Sequence, residues 1–300
     1  MDGKQLRTQY KEHLSDFNNW NQKEHAEDFI LYPKNIGYHL CIDETALSKG
    51  ELYTILTNRD KHGRKGTIVA IVKGTKAEDV INVLLKIDAD KRNQVKEITL
   101  DMAGSMQKIA KRCFPGAMQV VDRFHVSKLV YEAVQDLRIA YRWQVMKDEN
   151  RKIKEAKAKG ESYEPKVFGN GDTLRQLLAR SRYLLFKAPD KWQQSQKVRA
   201  KLLFEQFPDI KSVYYYALRL GKIFSDYTDK DVARAKLALW YNEIEEFGYD
   251  TFTTVANSIE NHYERILNYF VNRSTNAAAE AFNAKIKAFR ASFRGVVDKR

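Results

Sequence analysis

Only two of the 300 residues are cysteine, and neither has the spacing of a metal ligand or of one half of a disulfide framework. Cys41 and Cys113 each lie inside an apolar run, away from any C-x-x-C or zinc-like pattern. Neither a disulfide framework nor a structural zinc is therefore indicated, and two buried thiols in a reducing compartment are expected. Long hydrophobic runs are missing too. None approaches the roughly 18 residues that a membrane span requires, and the opening MDGKQLRTQYKEHL has no secretory apolar stretch. A soluble, cytoplasmic chain without a membrane partner is the expectation. Internal repeats and low-complexity tails are also absent.

What is present is apolar content of 43%, with 12% aromatic residues, enough to bury a sizeable core in one large domain or two ordinary ones. Lys and Arg outnumber Asp and Glu by 52 to 39, for a formal net charge of +13 and a pI near 9.4. A basic surface neutralises phosphates and releases counterions, so the expected partner is a polyanion, with nucleic acid the first candidate.

Residues 1–37 read as a polar, helical lead-in that ends where Pro33 and Gly37 disfavour a continuing helix. YHLCID (38–43), ELYTILT (51–57) and GTIVAIVKG (66–74) are rich in β-branched and aromatic residues and are separated by turn segments, which predicts an antiparallel meander. Val80, Val83, Leu84 and Ile87 then recur at helical spacing before the strand VKEITLD. The helix SMQKIAKRCF leads to a further strand, AMQVVD, so the strands ending at Asp101 and Asp122 should run parallel. From His125 to about Phe270 the pattern is almost wholly helical, and a last helix, NAAAEAFNAKIKAF, spans 276–289. The aromatic residues of the helical block, Trp143, Trp192, Tyr214 to Tyr216 and Trp240 among them, are expected in its core.

Three antiparallel strands followed by two parallel ones, with crossover helices, is the pattern of an RNase H-like α/β fold. The expectation is a mixed five-stranded sheet with a large all-α insertion. If the first and fourth strands are parallel neighbours, Asp43 and Asp101 emerge from the same edge at about the 4.8 Å strand spacing. Two carboxylates that close repel, and a divalent cation is the natural compensation. Oxygen ligands favour magnesium or manganese over zinc. An acid just past a strand is also a common turn residue, and Glu44 beside Asp43 is an alternative ligand. On the last helix Glu280 and Lys287, seven residues apart, share a face.

With these residues in view, the chain resembles the RNase H-like DDE transposases of bacterial insertion sequences, in the ISL-three branch that carries a helical insertion before its glutamate. CIDETALSKGELYTILTNRD, ITLDMAGSM, FPGAMQVVDRFHVSKL and STNAAAEAFNAKIKAFRASFRG carry the resemblance, in that order, over roughly residues 38–290. It implies Asp43, Asp101 and Glu280 as a metal-binding catalytic triad, with Asp122 and His125 as a supporting D-x-x-H pair and Lys287 as a supporting basic residue on the same helical face as the glutamate. It implies a lead-in of 1–37, a catalytic core of 38–124 and 271–300, and a helical insertion of 125–270.

The activity implied is two-metal DNA strand cleavage and strand transfer at transposon ends and target, with two Mg2+ ions for which Mn2+ may substitute, by a homo-oligomer at the nucleoid. The 37 residues before the first strand show no recognition-helix pattern, so end-specific reading is expected of a separate N-terminal polypeptide. The alternatives are an RNase H-like nuclease or resolvase, which would use the same acids, and a catalytically silent DNA-binding protein derived from a transposase. Intact acids at all three positions disfavour the silent protein.

Overall fold

The computed structural model describes residues 2–292 except Lys49, Tyr249 and Asn276; the side chains of a few further positions, Glu280 among them, lie outside the described residues. The chain divides into two units, one of Met1–Asp122 with Glu264–Arg300 and the other of Arg123–Tyr263.

The first unit begins with α1 (Gly3–Gln9) and, after short turns, β1 (Phe29–Leu31). There follow β2 (His39–Ser48), β3 (Glu51–Asn58), β4 (Ile68–Lys73), α2 (Ala77–Leu84), α3 (Ala89–Asn93), β5 (Glu97–Leu100), α4 (Gly104–Cys113) and β6 (Met118–Val121). The strands form one sheet in the order β1-β4-β3-β2-β5-β6. β2, β3 and β4 are the antiparallel meander, while β2 with β5 and β5 with β6 are parallel, as crossover helices between them require.

Two features differ from the sequence expectation. The sheet has six strands rather than five, because Phe29–Leu31, in the lead-in taken as helical, pairs antiparallel with β4. Three residues are too few for a periodic signal; what recruits them is the otherwise unpaired edge of β4. The outer edge of β1 is met in turn by Gln22, whose Oε1 accepts the Leu31 amide at 2.6 Å. Asp43 is also not at a strand end. β2 continues to Ser48 as the arm of a hairpin, and what stops after Cys41 is its pairing with the shorter β5.

Alternation along the strands separates two chemistries. One face presents Leu40, Ile42, Leu56, Ala70, Ile98 and Leu100 to Val80 and Leu84 of α2 and to Ile109 of α4, all nearly inaccessible. Each such side chain contributes about 1.5–3 kcal/mol by leaving water, so this face holds the sheet together. The other face carries Cys41, Asp43, Glu97 and Thr99, and the chain's return to the unit, through α12 (Tyr269–Asn272) and α13 (Ala277–Ser292), supplies partners there. α13 packs against β2.

Among its described residues the second unit has helices and turns, with one isolated bridge between Val167 and Thr173. It consists of α5 (Arg123–Ala158), α6 (Leu174–Arg180), α7 (Gln194–Gln206), α8 (Pro208–Asp226), α9 (Lys230–Phe247) and α10 (Asp250–Asn261), with α11 (Tyr263–Leu267) beginning the return. Leu177, Leu203, Ile210, Val213, Leu237 and Ile244 are buried in its core. Trp240 and Trp192 also pack inward and spend their indole N–H groups on the carbonyls of Tyr216 and Leu184, each at 2.9 Å. Tyr215, 43% exposed, and Trp143 depart from the expected core placement, Trp143 the further of the two. Trp143 is 64% exposed, on the stretch of α5 beyond Arg138 that is half-buried along one face only, and it lies off that face. Among the described residues no helix is long and apolar enough to cross a membrane.

Candidate functional site

The register of three adjacent parallel strands aligns three aspartates. Cys41 pairs with Thr99; the ladder ends there, but Asp43 and Asp101 each follow two residues later on their strands, and both carboxylates act on Glu44. Leu100 pairs with Val121, and the Asp122 amide continues the ladder by donating to the Leu100 carbonyl at 3.0 Å, which sets Asp122 beside Asp101. The three carboxylates thus begin from one row across β2, β5 and β6, with Asp101 in the middle. Their environments differ. Asp43 and Asp101 are half-buried, whereas Asp122 is 1% exposed.

Local hydrogen bonds hold the first two carboxylates. The Glu44 amide donates to Asp43 Oδ1 at 2.9 Å, and the Ala103 amide to Asp101 Oδ1 at 2.8 Å as the chain turns into α4. The other Asp43 oxygen, Oδ2, accepts the Asn283 amide of α13 at 2.7 Å. Asn283 is 6% exposed, and its own Oδ1 is buried without a hydrogen-bond partner. Sequence reading passed over Asn283; the available signal was its place one turn after Glu280, on the same helical face.

Charge accumulates here. Burial first, then the carboxylates of Asp101 and Asp43, raise the Glu44 pKa above its usual value. The same environment acts on Cys41, whose thiol is pushed well up by burial and then by Asp43, leaving an unreactive thiol behind the acids. Oxygen donors, net negative charge and an orphaned amide oxygen together suit a hard divalent cation. Among the described residues no three His, Cys, Asp or Glu side chains come together as a ready metal cluster.

The remaining residues singled out from sequence are distributed as follows. Glu280 belongs to α13, its side chain outside the described residues. Lys287 is exposed on the same helix. His125 belongs to the other unit, half-buried in the first turn of α5 with its ring edge-on to Phe124 at 5.5 Å.

Beneath the acids a second buried carboxylate, also missed from sequence, ties the sheet to the returning chain. Glu97 is 1% exposed; Arg59 Nη1 lies 2.6 Å from its Oε1 and also donates to Thr99 Oγ1 at 2.9 Å, while Asn272 donates to Oε2 at 2.8 Å. Burial alone would raise the Glu97 pKa, but the Asn272 hydrogen bond, with Ser274 and Arg59 close by, outweighs it and holds the group below its usual value. A pKa lowered by folding contributes stability that is present above the unfolded value near ~4.3 and is lost as pH falls through that region. Glu97→Gln should therefore lower stability at neutral pH by about 1–3 kcal/mol and flatten the acid limb of the stability profile. Urea unfolding at pH 7 and pH 4 measures both; an acid limb as steep as that of the wild type would remove Glu97 from this role.

The chain matches a family model described as a transposase, of the DDE type and ISL-three branch, over residues 40–299. No curated protein and no solved structure matches it.

Proposed function

The chain belongs to this family of DDE transposases, and from that premise we propose that it cleaves DNA strands at the ends of an insertion sequence and joins them to a target, using Asp43, Asp101 and Glu280 as its metal-binding catalytic residues. The observation that carries the proposal is the juxtaposition of Asp43 and Asp101 on neighbouring parallel strands, with Asn283 of the helix that also carries Glu280 bonded to Asp43.

Asp43 and Asp101, joined by Glu280, would hold Mg2+, two ions in this reading, with Mn2+ as a substitute. Once bound, the ions supply charge stabilisation to the attacking and leaving oxygens of an in-line phosphoryl transfer. The protein's own contribution is orientation. The amides of Glu44, Ala103 and Asn283 fix oxygens of the Asp43 and Asp101 carboxylates in advance, so little rearrangement is needed when their charge is neutralised. No covalent protein intermediate is required. Asp122 and His125 act in support, and Lys287, one helical face with Glu280, meets the phosphate backbone.

In this reading residues 38–124 and 271–300 form the catalytic core and 125–270 the insertion. The protein works as a homo-oligomer on DNA at the nucleoid. A duplex carrying the inverted repeats that flank the gene tests the reaction. Nicking with magnesium or manganese, none with chelator, and inhibition by calcium are expected. Cleavage indifferent to chelator would exclude the proposed chemistry.

A further inference from the structure

Arg138 is a buried cation with no acid beside it among the described residues. It is 4% exposed on α5, its Nε donates to Gln135 Oε1 at 2.7 Å, and its Nη1 donates to the Leu178 carbonyl at 2.9 Å. Both partners are neutral. Arg142 follows one turn later on the same helical face, and its Nε is buried without a hydrogen-bond partner. Gln135 Nε2 donates to the Arg182 carbonyl at 3.2 Å, which brings the end of the α6 segment onto this stretch of α5. The exposed Arg182 guanidinium lies over the ring of Tyr183, 5.4 Å from its centroid, and Tyr183 is itself 68% exposed.

Among the described residues no carboxylate lies within ion-pair distance of any of these three arginines. The acids nearby in the fold are engaged: Asp209 accepts the Tyr141 hydroxyl, and Glu149 faces Arg175 at 4.0 Å. Burial, then the like charges of Arg142 and Arg182, hold the Arg138 pKa below its usual value. The unit treats its other buried charge differently, for Asp172, with no exposed surface, is met by Arg180 and Arg199. A desolvated cation flanked by two more is costly unless an anion compensates it, and guanidinium forks match phosphate oxygens in geometry as well as charge.

We propose that Arg138, Arg142 and Arg182 form an anion site on the helical unit that takes a backbone phosphate of DNA. The proposal rests on DNA being the substrate and adds where the helical unit grips it. Arg138 is the fixed charge at the floor of the site, Arg142 and Arg182 are the contacts, and Tyr183 offers a ring face beside the phosphate. Such a site reads no bases; it adds affinity and fixes the position of the duplex.

The test uses the full chain with Arg142→Gln and Arg182→Gln, singly and together, and measures duplex binding by fluorescence anisotropy over a range of salt. Arg182 is exposed, so its single variant keeps the test open should Arg142→Gln fold poorly. The double variant should bind about tenfold more weakly near physiological salt. Its slope of log affinity against log salt should fall by about one to two, since neutralising each phosphate adds about 0.9 to the slope. Arg142→Lys with Arg182→Lys should restore most of the slope. Unchanged affinity and slope in the double variant overturn the site. Calorimetry with inorganic phosphate separates a free anion from a phosphodiester: saturable phosphate binding, abolished in the double variant whose DNA slope is unchanged, would also overturn the assignment to DNA. Strand cleavage by the wild type reads the transposase reaction separately. Intact cleavage with an unchanged slope removes this site alone, and a reduced slope without cleavage upholds the site while removing the proposed chemistry.

Discussion

Asp43→Ala and Asp101→Ala should each lower DNA strand cleavage by at least about 10³-fold, on the order of 4 kcal/mol of transition-state stabilisation, while leaving the unfolding midpoint and duplex affinity close to wild type. The separation of effects follows from where the two acids stand. Both are half-buried on the polar face of the sheet, whereas the apolar packing that stabilises the unit lies on the opposite face. Their removal also relieves repulsion, since each carboxylate helps to raise the Glu44 pKa.

Asp122 should behave in the reverse way. At 1% exposure it is the most deeply buried of the three, so Asp122→Ala is expected to cost more stability and less cleavage. Asn283→Ala, which deletes one hydrogen bond to Asp43, should fall between them at about tenfold in cleavage. Single-turnover cleavage beside urea unfolding for the four variants gives the comparison. Near-wild-type cleavage by Asp101→Ala with an inactive, well-folded Asp122→Ala would reverse the assignment of their roles.

The largest expected effect on stability lies in the other unit. Asp172→Ala should destabilise the helical unit by about 3 kcal/mol, lowering its thermal midpoint by on the order of 6–12 °C. Asp172 has no exposed surface; one carboxylate oxygen meets Arg180, and the other accepts Arg199 Nε and Asn170 Nδ2, each at 2.8 Å. This joins the loop after α5 to the end of α6 and to α7. The figure is at the low end for a broken buried ion pair because Arg180 is 54% exposed and can return to water.

Burial would raise the Asp172 pKa, but the hydrogen bonds and charges of Arg199 and Arg180, with Asn170, lower it. The sign is therefore that of a depressed acid: the contribution is complete above the unfolded pKa near ~3.9 and disappears as pH falls below it. Calorimetry at pH 7 and pH 3.5 should show a wild-type advantage over Asp172→Ala that narrows in acid. Equal midpoints at pH 7 would show the arginines to be no more than surface charges.

Some of the fold was legible because the chemistry is local. Leu40, Ile42, Ile98 and Leu100 alternate or cluster as strand residues must, and Val80, Val83 and Leu84 recur at helical spacing, so the meander, the crossovers and the parallel pair could be written down from residue order. β1 could not, since Phe29–Leu31 is a strand only because the edge of β4 is free to pair with it. Nor could the exposure of Trp143, because an indole on a helix looks like core until the face its neighbours cover is known.

The same division runs through the functional residues. Sequence by itself determined the kinds of group available: acids following short apolar strands, two inert cysteines, an excess of positive charge, and a motif order shared with a transposase family. Tertiary structure decided which groups meet. The strand pairing of Cys41 with Thr99, 58 residues apart, puts Asp43 and Asp101 two residues further along neighbouring strands, and α13 delivers Asn283 to Asp43 across 240 residues of chain. It also made Glu97 an anchor, Asp172 a clasp and Arg138 a buried cation held by neutral partners. A charged residue carries the same formal charge in any sequence, but its energy depends on burial and on the sign of its neighbours. Both are set only when distant segments pack together.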